Sequence, residues 1–128
     1  MATRSRIGIE HADGMVESIY CHWDGYPSHN GSILQEHYRD PKKVEELIKL
    51  GDISSLAPEV EAPFGHSFET PVYGVVVAYS RDRGESYNPG RIDSSVEDYF
   101  ESDVEEYGYV FTKEGKWLVN GTDLKNVL

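Results

Sequence analysis

Two short stretches hold the residue types from which a binding or catalytic site would be built. "IYCHWDGYP" (19–27) sets Tyr20, Cys21, His22, Trp23, Asp24 and Tyr26 around Gly25 and stops at Pro27. "RDRGE" (81–85) sets Arg81 and Arg83 on either side of Asp82, with Glu85 following Gly84. Aromatic rings take the flat face of a planar ligand, and guanidinium forks take a phosphate or carboxylate through paired hydrogen bonds. With Arg4 and Arg6 of "TRSR" added, these positions, Cys21 aside, suit one pocket for a small, phosphate-bearing, nucleotide-derived ligand. The same residues also read as structure: Trp23 and Tyr26 as core anchors, Asp24 as a turn cap, and 81–85 as a solvated charged turn.

Other chemistries are less well provided for. His22, His29, His37 and His66 lie at none of the short fixed spacings of a zinc site, and a lone cysteine cannot build a thiolate one. No metal and no cofactor is expected. Cys21 and His22 are adjacent, and adjacent strand residues point to opposite faces, so they do not form a nucleophile–base pair. An enzymatic alternative keeps His22 as general base on a phosphoester or nucleotide, assisted by Asp24 or Glu85. No catalytic residue is assigned ahead of that alternative, and a binding module is expected in preference to an enzyme.

Charge narrows the partners. The 128 residues carry a net charge of -11, which opposes direct capture of nucleic acid, since phosphate binding needs lysines and arginines on one face. Between Asp93 and Glu106 there are seven acids and no base. Placed on a helix, Glu97, Asp98, Glu101 and Glu105 would form an acidic face, and the alternative function is inhibition of a basic host protein through it. The longest apolar run, "VYGVVVAY" (72–79), is far short of the roughly 18–20 residues of a membrane-crossing helix. No apolar stretch follows the arginines of the first ten residues, and one cysteine forms no internal disulfide, so a cytoplasmic protein is expected.

The elements that must position these residues follow from periodicity and turn chemistry. Asp13-Gly14 between two extended runs predicts a hairpin with a two-residue loop. That loop pairs Ile7 with Tyr20, Arg6 with Cys21, Arg4 with Trp23 and Glu10 with Glu17. One face would then carry Ile7, Ile9, Val16, Tyr20 and His22, and the other Arg4, Arg6, Ile19, Cys21 and Trp23. Ile33, Leu34, His37 and Tyr38 have helical spacing. Asp40-Pro41 opens a second helix with a stripe of Val44, Leu47 and Ile48 that stops at Gly51. Residues 52–71 read as a loop, 72–80 as a buried strand, 94–106 as a helix capped by Ser94 and Glu97, and 107–120 as a hairpin. The expected fold is a single α+β domain, mainly antiparallel, spanning 1–128. Exposed tyrosines and hairpin edges are compatible with a homo-oligomer.

Quoted whole, the segments "MATRSRIGIE", "YCHWDGYPSHNG", "EHYRDPKKVEELIKLGDISSL", "VVVAYSRDRGE" and "YGYVFTKEGKWLV" resemble a family of small proteins of unassigned activity in tailed-phage genomes and prophages. The resemblance covers nearly the whole chain. It implies a phage-encoded accessory protein at work inside a bacterium, with no mechanism and no catalytic residues attached; phage accessory proteins of this size act largely by binding host components, so a binding module, with a counter-defence role, is expected.

Overall fold

Strand pairing around one central hairpin organises the chain, and a computed structural model describes residues 2–128. β1 (Ser5–Glu10) and β2 (Val16–Cys21) form that hairpin; a π-helical turn (Pro27–Gly31), α1 (Ser32–His37) and α2 (Pro41–Lys49) follow. β3 (Ile53–Ser55), β4 (Val77–Ala78), α3 (Tyr79–Arg83), β5 (Arg91–Asp93) and α4 (Val96–Glu101) come next. β6 (Tyr107–Phe111), β7 (Trp117–Val119), β8 (Thr122–Asp123) and a 3-10 turn (Leu124–Asn126) close the chain. The strands lie in the order β4-β3-β2-β1-β6-β7-β8, with β5 also paired to β2. The α+β class is as expected, but the sheet is mixed, because β1–β6 and β2–β3 run parallel.

The central register differs from expectation by one residue. Gly14 adopts φ 88°, and its N–H and that of His11 close a loop of three residues rather than two. Asp13 Oδ1 accepts from the Met15 amide at 3.0 Å, completing a turn-plus-bulge geometry open to Asp-Gly as readily as the two-residue turn. Ile7 therefore faces Ile19, Arg6 faces Tyr20, and Glu10 faces Val16, which removes the Glu10–Glu17 clash. A one-residue slip exchanges every side chain of β2 between faces. Ile7, Ile9, Ile19 and Cys21 now share the large core with Leu34, Tyr38, Val44, Leu47 and Ile48 of the helices. Val16 joins Tyr99 and Val110 in a smaller core under α4, and Arg6 shares that side of the sheet.

Buried aromatics tie the layers by polar tips. Trp117 Nε1 donates to Tyr38 O at 2.8 Å, Tyr38 Oη to Ala57 O at 2.6 Å, and Tyr99 Oη to Tyr109 O at 2.8 Å. Each ring contributes apolar area while its one polar atom stays bonded. α2 forms as its sequence directs: Asp40 accepts from the Lys42 amide, Pro41 takes the first helical position, and Gly51 leaves at φ 75°.

Elsewhere tertiary contacts override the local signals. The run 72–80 is strand only at Val77–Ala78, because Asp82 Oδ2 takes the Ala78 amide at 2.8 Å and starts α3. The stretch expected to be loop contains β3, and Glu59 bridges to Val75. α4 is six residues long and capped by Ser95 instead of Ser94. It ends early because Arg91 donates to Ser102 Oγ and Asp103 O, beyond its last turn.

Candidate functional site

Past the paired part of β1 and β2, the chain keeps the two strand ends together. Gly25 N donates to Thr3 O at 2.8 Å, Trp23 N to Ser54 O at 3.0 Å, and Glu106 N to Arg4 O at 3.2 Å. Asp24 takes the left-handed conformation at φ 56°. The left-handed angle of this turn thus falls on the residue before Gly25, a position that Asp tolerates better than most residues. Gly25 is required for a different reason: a Cβ there would lie 2.7 Å from Ser5 Cβ and 2.9 Å from Thr3 O. Tyr109 Oη donates to Gly25 O at 2.6 Å from the sheet beneath.

This scaffold brings Arg4, His22 and Trp23 together around an open cavity of about 390 Å³ that Ala2 and Glu106 complete. Trp23 is 44% exposed, with the His22 ring edge-on to it at 4.8 Å between centroids. Tyr20 Oη and His22 Nδ1 are 2.7 Å apart, and burial raises the Tyr20 phenol above its ordinary pKa. Arg4 is exposed and has no side-chain hydrogen bond or ion pair among the described residues. Glu106 was not singled out by sequence; it belongs to the acidic run, and only the pairing of β1 with β6 brings it here.

The other expected ligand residues do not join this cavity. Arg6 shares the face of Arg4 and Tyr20 but turns away from the cavity, bonded to Ser18 Oγ at 3.0 Å and Ser18 O at 2.9 Å; burial, with Arg91 adding, lowers its pKa. Arg81 donates to Val60 O and Val76 O and pairs with Asp82 at 2.9 Å. Asp82 is 3% exposed in its side chain and also meets His66 Nε2 at 3.2 Å. Arg81 and Asp82 thus clamp the 57–77 segment to the sheet instead of presenting a fork to solvent. Arg83 stacks on Phe68 at 4.7 Å and faces Glu85 at 3.5 Å. Asp82 and Arg83 border a separate cavity with Phe68, and Glu85 borders another with Asp52. Tyr26 is exposed and packs against His29 at 6.0 Å. The single pocket expected from both motifs is therefore corrected to a site built from the first, since α3 spends its arginine internally.

Three further expectations are settled by placement. His22 has Tyr20 as its hydrogen-bond partner, not Asp24 or Glu85. Cys21 is fully buried, and burial pushes its thiol up to about 11, the opposite of an activated nucleophile. Glu97, Asp98 and Glu101 lie on α4, but Glu105 falls outside it at φ 64°, so the four acids do not form one helical face. No helix of the described residues is long and apolar enough to cross a membrane. The chain matches no family model, and no curated protein or solved structure matches it.

Proposed function

We propose that the chain is a binding protein whose Arg4–His22–Trp23 shelf holds a planar, phosphate-bearing, nucleotide-derived ligand. In the host cytoplasm, as a phage accessory protein, it would sequester such a molecule away from the defence system that uses it. The observation that carries the reading is Arg4: a guanidinium with no internal partner among the described residues, beside an exposed indole. In this reading the Tyr20 hydroxyl is the donor in its contact with His22 Nδ1, which leaves the proton of a neutral ring on Nε2. Arg4 and His22 then both offer donors to an anion, Trp23 offers its face to a ring, and Glu106 accepts an exocyclic N–H. Arginine's paired donors suit phosphate geometry, and stacking on the indole adds roughly 1–3 kcal/mol.

Tryptophan fluorescence tests it, because Trp23 is 44% exposed while Trp117 is only 1% exposed. Adenosine diphosphate should quench the emission saturably, with adenosine binding at least about tenfold more weakly for want of the phosphates. Arg4→Ala should erase that difference. Equal affinities for the two probes, or no saturable quenching, would reject the reading.

A further inference from the structure

A larger groove, sharing no lining residue with the Arg4 cavity, opens beside Ser28, His29 and Ser32, about 650 Å³ in volume and within the range of sites for small organic ligands. Its floor is Leu56, Val75 and Val77, and its walls are stiffened by Pro58 and Pro71. None of the described residues lining it is Asp, Glu, Lys or Arg, although 27% of the chain is charged. A surface so depleted of charge offers nothing to an ion and favours a neutral occupant.

One side chain in the wall has its hydrogen-bonding role fixed by burial behind it. Asn30 is fully buried, and its Nδ2 faces Trp23 O at 3.3 Å, an atom that only accepts. The amide is thereby oriented, and its Oδ1 is the atom 2.9 Å from His29 Nδ1. An amide oxygen only accepts, so His29 Nδ1 carries hydrogen, and a neutral imidazole so protonated keeps a bare lone pair on Nε2. Nε2 has no partner among the described residues, and His29 lines the groove together with Ser28 and Ser32.

We propose that this groove is a second binding site, for a small uncharged aromatic molecule whose one hydroxyl or N–H is accepted by His29 Nε2. The apolar floor takes the ring system, and the histidine selects molecules with a donor at one edge. The site is independent of the shelf at Arg4.

Indole and N-methylindole share a ring system and differ in the donor, so they separate recognition by His29 from burial of apolar area. In amide NMR titrations of the full chain, indole should shift Ser32, Ser55, Ala57 and Val75 and bind about tenfold more tightly than N-methylindole, the worth of one hydrogen bond. His29→Phe should bring the two probes to the same affinity; should that variant fail to fold, the comparison on the unsubstituted chain decides alone. Equal affinities, shifts elsewhere, or no shifts at millimolar probe overturn the proposal. So does sedimentation showing a dimer whose contact protects these amides, which would give the groove to a second copy of the chain.

Discussion

Gly25→Ala is the substitution through which fold and site are most tightly coupled. The added Cβ would sit 2.7 Å from Ser5 Cβ, 2.9 Å from Ser5 Oγ and 2.9 Å from Thr3 O. Ordinary carbon–carbon contact is about 3.5–4.0 Å, so the two strand ends must part by roughly 1 Å. Overpacking of this kind costs about 1–3 kcal/mol. The displacement also stretches the Gly25 N to Thr3 O bond and the Tyr109 Oη to Gly25 O bond, now 2.8 and 2.6 Å, each worth about 1 kcal/mol. The expected loss is about 2–5 kcal/mol, or some 3–5 °C in Tm for each kcal/mol in a domain of this size. Urea unfolding followed by circular dichroism measures it, with Gly14→Ala as control. Gly14 has nothing within 4 Å of a Cβ and only its φ of 88° to strain, which costs about 1 kcal/mol. A Gly25→Ala protein within about 0.5 kcal/mol of wild type, or more stable than Gly14→Ala, would refute the close-approach argument.

Tyr109→Phe removes only the hydroxyl under Gly25 and should cost about 1–2 kcal/mol in the same assay, with Trp23 emission altered. Arg81→Ala strips the partner from the buried Asp82 carboxylate and should cost about 3–5 kcal/mol in thermal unfolding. Burial opposes ionisation of Asp82, but the hydrogen bond from Arg81, the Ala78 amide, and the Arg81 and His66 charges hold its pKa below the ordinary value. A depressed carboxylate pKa stabilises the fold above about pH 4 and loses that contribution as pH falls through the folded value, so Asp82→Asn should flatten the acid limb of the stability–pH curve. Cys21, its thiol pushed up to about 11, should stay unlabelled by a disulfide reagent at pH 8 until the chain unfolds. The unfolded thiol ionises near pH 8.5–9, so this contribution to stability is whole below that range and is lost as pH rises toward 11.

What the sequence by itself determines is what short-range physics controls. Asp40, Pro41 and Gly51 bound α2, and Val44, Leu47 and Ile48 turn its buried face inward, because caps and a 3.6-residue stripe act within a few residues of one another. The closing hairpin and the α+β class are legible for the same reason, and so is the closeness of Trp23 to Arg4; His22 turns to the face of Arg4 only through the shifted register. The hairpin register is not, because Asp-Gly serves loops of two and of three residues, and only the cores on the two faces choose between them. Arg81, Arg83 and Arg91 show the larger gap. A guanidinium reads alike in sequence whether it awaits an anion or caps carbonyls from distant segments, and the carbonyls of Val60, Val76 and Asp103 that claim two of them carry no sequence signal. Glu106 reaches the shelf, and His29 has its proton placed, through a parallel strand pairing and a buried amide respectively. The first joins segments far apart in the chain, and the second needs the fold to bury Asn30 against Trp23 O, so neither is marked by the local sequence.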